Sequence, residues 1–255
     1  MKEAAGLCFV SALLAFALVA PARAQYQAPP DVVVLCEPTL LHALTDIGAI
    51  FRQETGVPVR LFTSPTPALL EQVRHGARSD ILIGEGDPAA SAAIEGHLVK
   101  AETLQHLWRN RLVIAAATAK SSPTPVLAAL AGKAPIAIVD PWAAVAGAEG
   151  KKALEALGVW DAVSSKSIGV VDTADAAYLL AHGKVQWALV YATDVAAHPS
   201  LTLAEQLPPA SYQPIDYWGV ETARALSPNA DRFLTFLRGA EAQARIRNDG
   251  LEPLP

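Results

Sequence analysis

Few residues of this sequence could carry covalent chemistry, and they are scattered along the chain. Cys36 is the one cysteine after residue 24, and His42 follows it six positions later. A thiol and an imidazole can act as a nucleophile and its base, so a secreted thiol-dependent enzyme that uses Cys36 is one hypothesis. The sequence has no serine-hydrolase elbow, no P-loop, no dinucleotide-binding glycine motif and no zinc-protease histidine motif. We therefore expect the protein not to be an enzyme.

Other polar side chains add little to a catalytic interpretation. Carboxylate pairs can be drawn from Glu37, Glu85 and Asp87, but nothing in the sequence shows that any pair meets. The histidines lie on predicted helices or at helix ends, at residues 42, 75, 97, 106, 182 and 198. We interpret them as ordinary surface or packing residues.

A second pattern indicates anion binding. A predicted strand is followed by a small or polar residue that opens a helix at Thr39, at Thr66, around Ala146 and around Ala174. Each such helix start presents unpaired backbone N–H groups and the positive end of the helix dipole. Several of these ends facing one cleft would form an anion site that needs no arginine or lysine.

The elements that must position these residues alternate along the chain. Apolar runs predict strands over residues 31–36, 57–62, 80–83, 112–117, 136–139, 167–171, 187–191 and 218–222. Helical spacing and cap residues predict helices over 39–56, 66–75, 87–95, 125–131, 147–157, 174–181 and 229–248. This alternation favours parallel sheets flanked by helices. The strands cluster near 32–83 and 112–190, which predicts two α/β lobes.

The first 24 residues are predicted to be a secretory signal peptide. Lys2 precedes an apolar run over 7–20, and Ala22-Arg23-Ala24 forms a small-x-small cleavage site. No later run is long enough to predict a membrane span. The formal net charge of −5 argues against nonspecific nucleic-acid binding and against an anionic membrane surface.

Several short segments, in their order and spacing, resemble one known family. They are 39–51 with 54–57, Gln72 with 76–77 and 79–83, 110–114, 136–141, 146–147, 154–161 and 189–194. From about Asp31 to its C-terminus the chain resembles the periplasmic molybdate-binding proteins of ABC importers. The resemblance implies a two-lobed type II periplasmic binding protein fold, in which each lobe is a mostly parallel sheet and the ligand lies between the lobes. It implies lobe one at 25–110 plus 218–255 and lobe two at 111–217.

The resemblance also implies a function and a set of ligand-binding residues. Two serines of the family fall on Thr39 and Thr66, two amide donors on Ala146 and Ala174, and a tyrosine on Tyr191. The implied protein is a periplasmic monomer that captures molybdate or tungstate and delivers it to an ABC permease. No cofactor is implied, and molybdenum enters only as the oxyanion.

The binding loops depart from the family where the family is small and serine-rich. This chain has Cys36-Glu37-Pro38, Ser64-Pro65-Thr66-Pro67 and Gly84-Glu85-Gly86-Asp87. We take four of these residues as further candidates near the ligand: Cys36, Glu37, Ser64 and Glu85. A carboxylate beside a dianion is unfavourable, so either the glutamates point away or the ligand differs. A binding protein or sensor for another oxyanion, a metal species or a small organic acid therefore stays an alternative.

Overall fold

The computed structural model describes residues 31–117, 126–130 and 132–254. The predicted signal peptide lies outside these residues. The strands are β1 Val32–Cys36, β2 Val59–Thr63, β3 Ile81–Glu85, β4 Gln105–Asn110, β5 Leu112–Ala117, β6 Ile136–Val139, β7 Ser167–Val170, β8 Trp187–Tyr191, β9 Leu201–Gln206, β10 Ile215–Glu221 and β11 Glu252–Pro253. None of the described helices is long and apolar enough to cross a membrane.

The helices occupy most of the connections between strands. They are α1 Leu41–Thr55, α2 Thr66–Arg74, α3 Asp87–Glu95, α4 Val126–Leu130, α5 Val145–Ala156, α6 Trp160–Ser164, α7 Thr173–Ala181, α8 Ala192–Ala197, α9 Ala230–Leu237 and α10 Ala240–Asn248. Short 3-10 turns lie at Pro38–Leu40, Ala101–Thr103 and Pro209–Ser211. Residues 118–125 and 131 lie outside the described residues, and they include both ends of the helix predicted over 125–131.

The strands form two separate sheets. The first has the order β11-β4-β10-β3-β1-β2, and the second has the order β7-β6-β8-β5-β9. In the first sheet β1 is parallel to β2 and β3, whereas β10 is antiparallel to β3 and β4. In the second sheet β6 is parallel to β7 and β8, whereas β5 is antiparallel to β8 and β9. Both sheets are therefore mixed, not mostly parallel as the sequence predicts.

Helices cover both faces of each sheet. Along β1, Val32, Val34 and Cys36 pack into one apolar cluster, while Leu35 packs into another on the opposite face. Successive side chains of a strand point to opposite faces, so a strand buried on both faces reads as a continuous apolar run. Residues of β5 divide in the same way between two clusters of the second sheet. The apolar runs thus predict β1 and β5 correctly.

The chain crosses between the sheets twice. It leaves the first sheet after Asn110 and returns to it at Ile215, the first residue of β10. The predicted lobe limits stay predictions; the second of them, between residues 217 and 218, falls inside β10.

Several element boundaries differ from the predictions. β4 and β9 are strands that the sequence did not reveal, and the predicted final helix is broken at Gly239 into α9 and α10. Thr39 is not a helix cap: it lies in a 3-10 turn, and Leu40 caps α1 without a side-chain bond. The Asp172 carboxylate does cap α7, by accepting the N–H of Asp175 at 2.8 Å.

Candidate functional site

A small cavity lies where the two sheets face each other. Its volume is about 20 Å³, and it is lined by Glu37, Pro38, Thr39, Pro65, Glu85, Ala144, Ala146, Asp172, Thr173, Ala174 and Tyr191. A space of this size holds about one water molecule. A second cavity of about 590 Å³ shares Glu85 with the first and is otherwise lined by residues 86–89, by α5 and by residues 213, 214 and 216.

The first sheet brings its residues to the cavity from the carboxyl ends of its parallel strands. Glu37 and Thr39 follow β1, Thr66 begins α2 after β2, and Glu85 is the last residue of β3. Strands β2, β1 and β3 are neighbours and run in one direction, so their carboxyl ends meet at the same edge. Ligands of open α/β sheets bind outside that edge.

The second sheet contributes its residues in the same way. Helix α5 follows β6, α7 follows β7, and Tyr191 is the last residue of β8. Ala146 and Ala174 are the second residues of α5 and α7. An N–H at this position has no acceptor within its own helix. The N-termini of two helices therefore border one small space with backbone donors, and the helix dipoles add a favourable potential for an anion.

A chain of hydrogen bonds joins the polar residues of the cavity. Glu37 Oε1 accepts bonds from both the N–H and the O–H of Thr66. The Thr66 hydroxyl in turn accepts the N–H of Glu85 at 3.0 Å. Tyr191 Oη donates to Glu85 Oε2 at 3.0 Å and so connects the two sheets. The two glutamates thus face the cavity and do not point away to solvent.

A second set of bonds surrounds Thr39. Its hydroxyl lies 2.9 Å from the hydroxyl of Tyr217, a fully buried residue of β10. Asn110 Nδ2 lies 3.2 Å from the same Tyr217 hydroxyl and 3.0 Å from the hydroxyl of Thr193. Asn110 therefore ties β10 of the first sheet to α8 of the second, at the point where the chain crosses.

Burial dominates the acid–base properties of the site. It raises the pKa of Glu37 to about 7, against the opposing bonds from Thr66. Burial and the neighbouring Glu37 raise the pKa of Glu85 well above its usual value, although hydrogen bonds from Tyr191 and Tyr217 oppose the shift. Burial also raises the pKa of Asp194, behind Tyr191, to about 6. Both cavity glutamates are thereby biased towards the neutral form.

Charge in the cavity is one-sided. Glu37, Glu85 and Asp172 line it, and its lining includes no lysine, arginine or histidine. Two unit charges 4 Å apart interact by about 4 kcal/mol at an effective dielectric constant of about 20. An ionised glutamate would therefore oppose a bound anion strongly. Among the described residues no group of three or more His, Cys, Asp or Glu side chains could hold a metal ion.

Most residues predicted for the site come together. Thr39, Ala146, Ala174 and Tyr191 line the cavity, and Thr66 lies directly behind it, bonded to Glu37. Ser64 lies beside this group and accepts a bond from Gln72 Nε2 at 3.1 Å. Asp172 was missed, although its position before the predicted helix at 174–181 is a typical cap signal. Tyr217 and Asn110 were also missed, since only the sheet pairing brings them here.

Cys36 and His42 do not form a catalytic pair. Cys36 is fully buried in the apolar core beneath α1, and burial raises the pKa of its thiol to about 12. His42 is exposed, and its Nδ1 lies 3.3 Å from Asp249 Oδ1. A nucleophilic cysteine needs a thiol that is accessible and that ionises to the thiolate, and the Cys36 thiol is neither accessible nor readily ionised.

Comparison with known proteins identifies the family of this chain. The family model for bacterial extracellular solute-binding proteins matches residues 32–252. The chain belongs to this family. The solute-binding protein is 27% identical over 249 residues to the molybdate-binding protein ModA of Escherichia coli strain K12, covering 95% of each chain.

Solved structures confirm the two-lobed fold. The periplasmic molybdate-binding protein of Azotobacter vinelandii superposes with a TM-score of 0.78 at 21% identity, over 88% of this chain and 99% of that one. The substrate-binding domain of a putative molybdenum ABC transporter from Clostridium difficile superposes with a TM-score of 0.74 at 20% identity, with the same coverage. The solute-binding protein therefore has the predicted type II periplasmic binding protein fold, with mixed sheets.

Proposed function

We propose that this solute-binding protein captures a tetrahedral oxyanion, molybdate or tungstate, and delivers it to the permease of an ABC importer. One observation carries the proposal: Thr39 and Tyr191, which bear hydroxyl groups, and Ala146 and Ala174, at the N-termini of two helices, all line a single cavity between the sheets. The similarity to ModA, a molybdate-binding protein, supports the choice of ligand.

The donors suit such a ligand chemically. Each oxygen of a tetrahedral oxyanion accepts hydrogen bonds, and bonds to a charged acceptor are about twice as strong as neutral ones. Amides and hydroxyls in fixed positions fit a particular arrangement of oxygens, whereas a lysine would attract many anions. The ligand-binding residues of this proposal are Thr39, Thr66, Ala146, Ala174 and Tyr191.

Binding requires the two sheets to move apart and close again. The cavity volume of about 20 Å³ suits one water, so an ion of five heavy atoms enters only when the cavity widens. The chain crosses between the sheets at 110–112 and 206–215, and these crossings are the positions for a hinge. In this proposal the protein acts as a periplasmic monomer without a cofactor, after cleavage of residues 1–24.

Thermal denaturation of residues 25–255 with added anions tests the proposal. Molybdate or tungstate at about 100 times its Kd should stabilise the protein by about 2.7 kcal/mol. Sulfate and phosphate at the same concentration provide the comparison for selectivity. A melting temperature unchanged by both molybdate and tungstate would contradict the proposed function, and a shift with phosphate alone would assign the protein to a different anion.

A further inference from the structure

The first-sheet side of the cavity presents acceptors where the proposed function needs donors. The N–H and O–H of Thr66 are both bonded to Glu37 Oε1, and the O–H of Tyr191 is bonded to Glu85 Oε2. These three donors belong to residues that the proposed function assigns to the ligand. An incoming oxyanion therefore meets two carboxyl groups that already hold those donors.

Among the described residues, no lysine, arginine or histidine side chain lines the cavity beside these carboxyl groups. Glu85 is faced by Glu37 from the turn after β1, by Tyr191 and Asp194 from β8 and α8, and by Tyr217 from β10. Glu37 is faced by Thr66 from α2 and by Asp172 from the start of α7, and it lies beside Cys36. A neutral carboxyl group keeps a carbonyl oxygen that accepts a bond and gains an O–H that donates one. Protonation would thus convert each glutamate from an obstacle into a ligand donor.

We propose that Glu37 and Glu85 are ligand-binding residues that meet the oxyanion as neutral carboxyl groups, each donating a hydrogen bond from its O–H to an oxyanion oxygen. This inference rests on the proposed function, and it makes binding of the anion dependent on protons held by the protein. The hydrogen bonds already in place fit this role. Thr66 uses only one oxygen of Glu37, so the other, Oε2, is available for the proton.

The acid–base properties of the two groups support the proposal. The pKa of Glu37 is raised to about 7 and that of Glu85 well above its usual value, mainly by burial. A dianion beside these groups raises both pKa values further, because the charge favours the protonated form. Binding above about pH 7 therefore takes up a proton, chiefly at Glu37.

The pH dependence follows with a definite sign. Below about pH 6 Glu37 is already protonated, so the Kd for molybdate should vary little. Above about pH 7 the proton must be taken up with the ligand, and the Kd should rise by up to about tenfold per pH unit. Molybdate itself changes charge only under acidic conditions, so this range reports on the protein.

Isothermal titration calorimetry with sodium molybdate and sodium tungstate tests the inference. Titrations at about pH 8, in two buffers that differ in ionisation enthalpy, should show uptake of up to about one proton per anion bound. Glu37→Gln and Glu85→Gln replace each carboxyl group by a neutral amide that also accepts and donates. The Kd of the double variant should be independent of pH. It should equal the Kd of the wild type at about pH 6, and it should be about tenfold lower than the Kd of the wild type at about pH 8.

A matched control separates this effect from a general change of charge. Asp87 borders the larger cavity, has a side chain 75% exposed and does not line the smaller one. Asp87→Asn removes one negative charge nearby and should keep the slope of Kd against pH. If the Gln variants instead bind more tightly than the wild type by the same factor at every pH, the glutamates are ionised throughout and only repel the ligand. That result would overturn the inference.

The two proposals fail in different ways. Wild-type protein that binds molybdate with the same Kd from about pH 6 to about pH 9, without proton uptake, would overturn this inference and leave the proposed function standing. No heat and no thermal shift with either anion across that range, in the wild type and in the double Gln variant, would overturn both.

Discussion

The helices on the two sides of the cavity differ at their second residue, which has a backbone N–H on one side and lacks it on the other. On the second-sheet side, α5 and α7 carry alanines, Ala146 and Ala174, at their second residues. On the first-sheet side, α2 and α3 carry prolines, Pro67 and Pro88, at the same position. Proline has no N–H, so those two helix starts each lack one backbone donor.

This difference shows how an anion site can be divided between two halves of a fold. The donors that α5 and α7 supply on the second-sheet side are permanent, since backbone N–H groups do not titrate, although the Asp172 carboxyl group also lines that side. The first-sheet side consists of hydroxyls and carboxyl groups, whose ability to donate depends on where protons reside. Affinity on one side is thus determined by backbone geometry, and on the other by protonation.

The largest effect is expected where a backbone donor is removed from the second-sheet side. Ala174 is exposed at the second residue of α7, so Ala174→Pro removes its N–H while α2 shows that proline suits this helix position. Losing a bond to a charged ligand costs about 1.5–3 kcal/mol, so the Kd for molybdate should rise by about 10- to 100-fold. Calorimetry measures the change.

The matched control is Ala174→Gly, which alters the side chain but keeps the N–H. Its Kd should stay within about threefold of wild type, since glycine near a helix start costs little. Equal affinity in the Pro variant and the Gly variant would remove Ala174 from the donor set.

A smaller effect, on stability as well as on binding, is expected at Gly147, where the start of α5 packs closely against the backbone after β6. A Cβ added at Gly147 would lie 2.2 Å from the carbonyl oxygen of Asp140, so only glycine lets α5 begin this close to the end of β6. Gly147→Ala should lower the free energy of unfolding by about 1–3 kcal/mol and weaken molybdate binding through displacement of Ala146. Urea denaturation and calorimetry test the two parts.

Gly169→Ala on β7 controls for this substitution, because nothing lies within 4 Å of a Cβ there. It should change neither stability nor affinity beyond about 0.5 kcal/mol. A Gly147→Ala protein with wild-type stability would show that α5 can begin at a different distance from β6.

The smallest effect is expected at the bond that joins the two sides. Tyr191→Phe removes the hydroxyl that donates to Glu85 and leaves the buried ring in place. This hydroxyl must exchange its bond to Glu85 for one to the ligand, so its net contribution is about 0.5–1.5 kcal/mol, and the Kd for molybdate should rise by no more than about tenfold. Tyr178→Phe, at an exposed tyrosine of α7, is the control and should bind as wild type does. If Tyr191→Phe binds molybdate with the wild-type Kd, the Tyr191 hydroxyl does not bind the ligand and only the ring contributes to the site.

Local signals in the sequence predict much of the fold and part of the site. Continuous apolar runs identify β1, β3, β5 and β8 because both faces of these strands are buried. The cap-plus-proline pairs locate the starts of α2 and α3 to within a residue. The resemblance places Ala146, Ala174 and Tyr191, which the structure brings to one cavity.

What the sequence could not predict depends on neighbours distant along the chain. β4 mixes polar and apolar residues, and β9 is interrupted by Thr202 and ends on Glu205 and Gln206, so neither has a continuous apolar run. The direction of Glu37 is decided by Thr66, which lies 29 residues away, and that of Glu85 by Tyr191, 106 residues away. The predicted helix over 229–248 is divided at Gly239, a residue type that often ends a helix, and both α9 and α10 pack against α1, which is distant along the chain.

The burial of Cys36 has a consequence for the chemical durability of the protein. Thiol oxidation and mixed-disulfide formation proceed through the thiolate, and β1 keeps this thiol inaccessible with a pKa of about 12. A thiol reagent can react only while β1 is transiently exposed, so the rate of labelling measures how often that strand opens. Cys36 is thereby an intrinsic probe of local unfolding in the first sheet.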